Sequence, residues 1–263
     1  MITRFPIDDA LALSTQAGWN QTRDDWIRLV SLAGDGVKGV MDGGRLVSTA
    51  TGLAYGTDLA WIGMVLTEEA HRGRGLARRV MRDVLDDLER RGVRCVKLDA
   101  TELGRPVYLK LGFREECAIS RWRREARAVQ AATSDGFLDA ELLALDGEAF
   151  GADRSPLLRS LAEVEGHAIP GSGFAMARPG RTATFFGPCV ARDAEAARQL
   201  LASFLARHGS EPTMLDLCDD HAAAVSMASD AGFAPVRRLT RMVRGDSKDT
   251  SPLIYTCAGF EFG

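Results

Sequence analysis

The stretch Arg72-Gly73-Arg74-Gly75-Leu76-Ala77 decides the fold, because it joins a strand-like run to a helix-like run. The apolar residues 61–66 precede it, and the helical pattern of residues 76–91 follows it. A glycine-rich turn in this position directs several backbone N–H groups at one point beside the positive end of a helix. The stretch therefore predicts an anion site suited to a pyrophosphate, and with it a phosphorylated cofactor.

Length, composition and charge limit the kind of protein. The chain has 263 residues, of which 46% are hydrophobic and 26% charged, as expected for about two globular domains. Its net charge of -3 gives no reason to expect a nucleic-acid partner. The sequence contains no run of about 18 apolar residues, so no membrane span is predicted. The N-terminus lacks the apolar core of a signal peptide. We expect a cytoplasmic protein.

The five cysteines favour reduced, mostly buried thiols. They stand at positions 95, 117, 189, 218 and 257, so no two are close enough in sequence to form a metal-ligand pair. An odd number also fits a disulfide framework poorly. We therefore expect neither a bound metal nor structural disulfides.

The first half alternates helical and strand patterns. Its turn Asp42-Gly43-Gly44 predicts a hairpin, because glycine supplies the positive φ that such turns need. Gly92 is expected to end the long helix. In chain order, the sequence predicts helices over residues 8–17 and 24–32, strands over 37–41, 45–54 and 59–66, a helix over 76–91, a strand over 93–98, a short helix over 104–111 and a strand over 113–123.

The second half repeats this order of elements. Leu111-Gly112-Phe113 matches Ala231-Gly232-Phe233 at an offset of 120 residues, and the same offset carries Arg121 onto Arg241. These matches indicate an internal duplication, with domains over residues 1–125 and 136–263 and a linker over 126–135. The predicted elements are helices over 137–150 and 156–165, strands over 173–178 and 182–190, a helix over 193–207, a strand over 213–217, a helix over 221–231 and strands over 233–243 and 253–257.

Two motifs give the first half a resemblance to a known family. Arg72-x-x-Gly75-x-Ala77 resembles the Arg/Gln-x-x-Gly-x-Gly/Ala signature of the GCN5-related N-acetyltransferases (GNAT), and Tyr108-Leu109-Lys110-Leu111-Gly112-Phe113 looks like that family's second landmark. The second half resembles the C-terminal domain of a tandem branch of the family, through Phe150-Gly151-x-Asp153-Arg154-Ser155, Gly187-Pro188 and Arg241-Met242. The implied fold is α+β (mixed α/β): two tandem domains, each a mixed, mostly antiparallel sheet flanked by helices.

The resemblance implies acetyl-CoA as cosubstrate. Its pyrophosphate would bind backbone N–H groups of residues 73–78, where glycine permits close approach, and its pantetheine arm would pair with the strand before the turn. Thr101 stands where the family often has asparagine. The implied cofactor-binding residues are Met64, Val65, Leu66, Arg72, Gly73, Arg74, Gly75, Leu76, Ala77, Arg78, Thr101 and Tyr108.

The implied reaction is acetyl transfer to a small amine. In the family the tyrosine of the second landmark protonates the departing thiolate, so Tyr108 is the candidate general acid. Glu68 and Asp99 are the first candidates for the general base, and a water relay is the alternative. Carboxylates that would attract a cationic acceptor are Asp24, Asp25, Glu68, Glu69 and Asp153.

The second copy is expected to be inactive. The offset of 120 places Asp193 where Gly73 stands, Glu195 where Gly75 stands and Ala228 where Tyr108 stands. We therefore predict one active site, with the second domain shaping the acceptor pocket or imitating a dimer partner, so that a monomer is favoured. Two other functions stay open: a non-catalytic acyl-CoA sensor and a scaffold for another nucleotide.

Overall fold

The computed structural model describes residues 5–127, 138–246 and 251–263. Within these ranges the chain forms an 11-stranded sheet with helices packed against it. The helices are α1 (Ile7–Gln16), α2 (Arg23–Ala33), α3 (Leu76–Arg90), α4 (Arg105–Leu109), α5 (Ala140–Phe150), α6 (Ser155–Ala162), α7 (Ala194–His208) and α8 (Ala222–Asp230). The strands are β1 (Val37–Asp42), β2 (Arg45–Tyr55), β3 (Leu59–Thr67), β4 (Cys95–Ala100), β5 (Arg114–Arg124), β6 (Gly166–Ile169), β7 (Gly173–Arg178), β8 (Thr184–Ala191), β9 (Thr213–Cys218), β10 (Ala234–Gly245) and β11 (Ile254–Thr256).

The predicted α+β fold is confirmed, and most element boundaries differ from the predicted ones by a few residues. The strand predicted to begin at residue 93 begins at Cys95, because the N–H groups before it are used outside the sheet ladder: Val93 donates to Leu88 O in α3, and Arg94 donates to Thr57 O in the turn between β2 and β3. The short strand β6 was not predicted. Most of the proposed linker, residues 128–135, lies outside the described residues.

The repeat is visible in the hydrogen bonds that follow α4 and α8. The N–H of Phe113 donates to Tyr108 O at 3.1 Å, and the N–H of Phe233 donates to Ala228 O at 3.0 Å. The intervening glycines, Gly112 and Gly232, have φ of 84° and 85°. Ala228 therefore stands in the place of Tyr108, as predicted, and it cannot act as an acid.

The offset of 120 is wrong at the helix after the glycine turn. Helices α3 and α7 each have 15 residues, so Leu76 corresponds to Ala194 and Gly75 corresponds to Asp193. The Asp193 side chain accepts a hydrogen bond from the N–H of Ala196 at 2.9 Å. A carboxylate thus caps the helix end that would have to bind an anion.

The two halves share one sheet, because β10 of the second half lies between β4 and β5 of the first. Two buried ion pairs join the halves across neighbouring strands. In each pair, one half provides the arginine and the other half provides the aspartate. Arg241 on β10 binds both carboxylate oxygens of Asp99 at 2.9 and 3.1 Å. Arg121 on β5 binds both oxygens of Asp216 on β9 at 2.7 Å.

The largest hydrophobic core is also common to both halves. It contains Trp26 and Trp61 from the first half together with Phe150, Phe174 and Phe262 from the second. Burying such side chains stabilises the fold by about 2 kcal/mol each. Neither half therefore has its full core without the other.

The five cysteines are free thiols in the structure. Four of them are buried, which agrees with the prediction that most would be. In the described ranges, no helix is both long enough and apolar enough to cross a bilayer.

Candidate active site

The cleft between β3 and β4 is the candidate site. The two strands pair in parallel from Ala60 to Ile62 and then separate, leaving a cavity of about 440 Å³. A bulge in β3 places Met64 and Val65 opposite a single residue of β2, and Met64 has the strained φ of 50°. Residues 63–67 consequently line the cavity, where their backbone can pair with an extended ligand.

The glycine turn lies beside this cavity, since Arg72 and Ala77 contribute to its lining. Gly73 and Gly75 have φ of 76° and 77°, and a Cβ on either would face open space. No side chain of the described residues caps α3, and its first N–H groups have no partner within the helix. The turn therefore has the geometry of an anion site.

The charged side chains of the turn surround that helix end. Arg72, Arg74 and Arg78 are exposed, and Arg72 Nε lies 3.4 Å from the carbonyl oxygen of Thr67. Cations at a helix N-terminus oppose the helix dipole. A bound phosphate group would offset this unfavourable arrangement.

Tyr108 lines the other side of the cavity from α4. It is 8% exposed and packs edge-on against Phe113, with ring centroids 6.2 Å apart. Burial raises the pKa of Tyr108, so that its phenol stays protonated at neutral pH. The side chain can therefore donate a proton to a group in the cavity.

Gly104 provides the space for this phenol. A Cβ at Gly104 would lie 2.9 Å from Cε2 and 3.2 Å from the hydroxyl oxygen of Tyr108. We expect Gly104→Ala to displace the ring. If Tyr108 is the general acid that the sequence predicts, turnover should then fall by roughly tenfold or more, because small misplacements of a catalytic group are costly. Gly147→Ala is the control, since a Cβ there meets no atom within 4 Å. Equal turnover of both variants would contradict this role of Gly104.

Thr101 also lines the cavity, but its hydroxyl oxygen has a structural task. It accepts a hydrogen bond from the N–H of Gly104 at 3.1 Å and so fixes the turn before α4. A hydroxyl that accepts one bond keeps its O–H as a donor. Thr101 can thus donate to a ligand while holding α4 in place.

Glu68 and Asp99, the predicted candidates for the general base, form ion pairs with other side chains. Glu68 lies outside the cavity lining and binds Arg45 and His71, both at 2.7 Å. Asp99 lines the cavity, and burial raises its pKa against the effect of Arg241, but both of its oxygens bind that arginine. The geometry therefore favours neither as the base and makes Asp99 part of the junction between the halves.

The carboxylates suggested to attract a cationic acceptor do not gather at the cavity. Asp25 is buried, forms a capping box with Thr22 and binds Arg28 and Arg178. Asp24, Glu69 and Asp153 are exposed and Glu68 is partly buried, and none of these four lines the cavity.

Glu261 is the carboxylate that sequence reasoning missed. It is 2% exposed, lines the cavity, and accepts hydrogen bonds from Arg178 at 2.9 Å and Gln21 at 2.8 Å. Burial raises its pKa, with Arg178 opposing. In the sequence, Glu261 is notable only as a carboxylate between two aromatic residues in an apolar segment. This pattern does not predict which part of the fold the residue contacts.

Contacts from both halves hold the segment that carries Glu261. Arg154 of the Phe-Gly-x-Asp-Arg-Ser motif binds Asp146 and donates to Gly263 O at 2.9 Å. Tyr55 donates to Phe262 O at 2.6 Å. Gly63 leaves room for the segment, because a Cβ there would lie 2.8 Å from Glu261 Cα. The second half thus shapes the cavity of the first.

The corresponding cleft of the second half is filled by the chain itself. Strands β8 and β9 pair in parallel at residues 184–185 and 213–214. Beyond this point β11 pairs with β8, and the N–H of Cys257 donates to Asp216 O on β9 at 2.8 Å. Among the described parts of the chain, the cleft of this type that stays open is therefore the one between β3 and β4.

The splayed strands, the uncapped glycine turn and the two-fold repeat define a tandem α+β protein of the acyltransferase class. Family comparison gives the same result for both halves. The model described as "Acetyltransferase (GNAT) family" matches residues 9–113, and the model described as "Acetyltransferase (GNAT) domain" matches residues 142–255. The chain belongs to the GNAT acetyltransferase family and carries two of its domains in tandem.

Solved structures of similar fold extend over the whole chain. A "Putative Acetyltransferase" from Pyrococcus horikoshii has a TM-score of 0.84 at 20% identity, covering 98% of this chain and 92% of its own. A GCN5-related N-acetyltransferase from Sphaerobacter thermophilus has a TM-score of 0.64 at 15% identity, with coverages of 94% and 96%. A tandem GNAT protein from the clavulanic acid biosynthesis pathway has 0.60 at 14%, with coverages of 92% and 96%. Comparison with curated proteins finds no match.

Proposed function

We propose that the protein is an acetyl-CoA-dependent N-acetyltransferase that acetylates a small amine directly, with Tyr108 as general acid. The observation that carries the proposal is that one cavity is lined by the β3 bulge, Arg72 of the glycine turn, Tyr108 and Glu261 together. Backbone groups of residues 64–66 fit the pantetheine arm. The N–H groups of residues 73–78, together with Arg72, Arg74 and Arg78, fit the pyrophosphate.

The cavity side chains suit the proton transfers of this reaction. Bound acetyl-CoA supplies the thioester: the amine nitrogen forms a C–N bond to the acetyl carbon while the C–S bond breaks. Glu261 accepts the proton that leaves the nitrogen, and its raised pKa makes it a stronger base. Tyr108 donates its phenolic proton to the leaving sulfur. Proton exchange with solvent then restores both side chains.

The proposal includes two expectations from the sequence. A cytoplasmic location fits the five free thiols, since such thiols persist in reducing compartments. A monomer is supported by the pairing of β10 with β4 and β5, which already joins two related domains within one chain. A sensor that binds acetyl-CoA without turnover is the alternative function.

Gly75→Glu is expected to abolish the stabilisation of the protein by acetyl-CoA. The new carboxylate would stand at the helix end proposed to bind the pyrophosphate and would repel it. A ligand at about 100 times its dissociation constant stabilises a protein by about 2.7 kcal/mol, which raises the melting temperature measurably. Thermal unfolding of wild type and variant, each with acetyl-CoA and separately with ATP, measures the effect.

Gly56→Glu is the matched control for Gly75→Glu. Gly56 has a φ of 65°, and a Cβ there also faces open space, so the variant carries similar backbone strain and the same charge away from the cavity. Acetyl-CoA should stabilise wild type and Gly56→Glu but not Gly75→Glu. Equal stabilisation of all three would contradict the proposed pyrophosphate site, and a larger shift with ATP would favour a different nucleotide.

A further inference from the structure

The cavity lining around Gln21 and Glu261 contains a buried amide oxygen that receives no hydrogen bond. Gln21 is 6% exposed, and its Nε2 donates a hydrogen bond to Glu261 Oε2 at 2.8 Å. Because the amide atom that faces the carboxylate must be the nitrogen, the other polar atom of the amide is the oxygen Oε1. Among the described residues, no donor reaches Gln21 Oε1. A buried acceptor without a partner is unfavourable by about 1–3 kcal/mol. A ligand that donates hydrogen bonds here would remove this penalty.

Gln21 Oε1 and Glu261 together form a negatively charged group of acceptors. Each oxygen of Glu261 already accepts one hydrogen bond, from Arg178 or from Gln21, and retains a second lone pair. Neutral and carboxylate oxygens side by side suit a group with several N–H donors and a positive charge. An amine that enters as an ammonium ion has this chemistry. It releases one proton to solvent before the neutral nitrogen attacks, and Glu261 accepts the second proton as the C–N bond forms.

Arg237 supplies the opposite charge at the same cavity. It is half-buried on β10, lines the cavity, and lies 5.7 Å from the ring centroid of Trp19. Neighbouring arginines have carboxylate partners: Arg238 binds Asp219 at 3.0 Å and Arg241 binds Asp99. Within the described ranges, no carboxylate forms an ion pair with Arg237. A partly buried guanidinium without a partner is a site for an anionic group of the ligand.

We propose that the acetyl acceptor carries a carboxylate as well as its amine, as a free α-amino acid does; this inference rests on the proposed function. Gln21 and Glu261 bind the amine, and Arg237 binds the carboxylate. A guanidinium matches a carboxylate with two parallel N–H···O bonds, so Arg237 selects for that group. It also disfavours diamines and polyamines, whose second positive charge would face it.

The rings of Trp19 and Phe260 complete this acceptor site. Both line the cavity, and Phe260 lies under the Arg121 guanidinium, 4.5 Å from ring centroid to Cζ. Arg121 is neutralised by Asp216, and Arg72 is assigned to the pyrophosphate. Among the described residues that line the cavity, Arg237 is therefore the cation left for the acetyl acceptor. The side chain of an amino acid would therefore pack against aromatic surface. Acetylation would remove the positive charge of the amine and with it the attraction to Glu261, which favours release of the product.

The test compares each of a set of L-α-amino acids with its own carboxamide at equal concentration, measuring released CoA thiol. The wild type should favour the acids in kcat/KM by about tenfold or more, which is typical of one charge-assisted hydrogen-bonded contact. Arg237→Met should abolish this preference by raising KM for the acids. Arg238→Met, its exposed neighbour on the same strand, should retain the preference.

The outcomes separate this inference from the proposed function. Equal use of acids and carboxamides by the wild type, or equal losses for both in Arg237→Met, would overturn the acceptor inference while transfer itself stands. Preference for carboxamides would do the same. No transfer to any amine, with acetyl-CoA still stabilising the protein, would overturn the proposed function and the acceptor inference with it.

Discussion

Tyr108→Phe is expected to lower kcat by about 10²- to 10⁴-fold, the usual contribution of a positioned general acid. The substitution removes one oxygen atom and keeps the ring that packs on Phe113. Acetyl-CoA should therefore bind the variant as it binds the wild type. Steady-state release of CoA thiol measures turnover, and thermal unfolding with acetyl-CoA measures binding.

The pH dependence provides an independent check on Tyr108. Burial raises the pKa of its phenol above the ordinary value of 10.0, and the protonated form is the active one. Activity of the wild type should therefore not fall through ionisation of Tyr108 as pH rises from 7 to about 10. An alkaline loss within that range that disappears in Tyr108→Phe would contradict the raised pKa of Tyr108, although it would support the phenol as the acid.

Tyr255→Phe is the matched control. Tyr255 is also buried, but it lies on β11 with its ring against His221, 4.8 Å between centroids, outside the candidate site. Its variant should turn over like the wild type. Full activity of Tyr108→Phe would show that another group protonates the sulfur. A wild type that binds acetyl-CoA without acetylating any amine would instead favour the sensor.

Arg241→Met is expected to reduce the free energy of unfolding by about 3–5 kcal/mol, because it leaves the buried carboxylate of Asp99 without its partner. The Arg241 side chain is 4% exposed and that of Asp99 is 0% exposed, so water cannot replace the lost bonds. Urea unfolding measures the change. Since total stabilities are typically about 5–15 kcal/mol, this loss is a large fraction of the whole.

Arg244→Met is the control on the same strand. Arg244 binds Glu89, but the two side chains are 32% and 55% exposed, and such surface pairs contribute about 0–1 kcal/mol. Equal losses in the two variants would contradict the importance of the buried pair between the halves. Replacing Asp99 by leucine in the Arg241→Met variant should recover part of the loss, because no uncompensated charge stays buried.

The elements that the sequence predicted well are those governed by local rules. The turn at Gly43 and Gly44, the start of α3 after Gly75 and the paired turns at Gly112 and Gly232 all depend on a positive φ that glycine adopts without strain. The long helix α3 follows from apolar residues at helical spacing. These features need no knowledge of the rest of the chain.

The repeat shows where local reasoning loses accuracy. The match at Gly112 and Gly232 holds at an offset of 120, whereas Gly75 and Asp193 differ by 118. Compared with the first half, the second half has two more residues between the end of α7 and Gly232, where loop length is free to vary. That the second copy is inactive stays a prediction, which now depends on the capping residue Asp193, on Ala228 and on the inserted strand β11.

The sequence alone indicated the α+β fold and the tandem family through motifs that resemble a known family. It also predicted the glycine turn and the helix that carries Tyr108, because these depend on short-range spacing and backbone preference. Tertiary structure alone decided that β10 enters the sheet of the first half and that Gln21 meets Glu261, 240 positions further along the chain. Strand order and the path of the last residues depend on which distant surfaces bury one another. No local pattern contains that information, so the proposed amine-side residues became visible only in the fold.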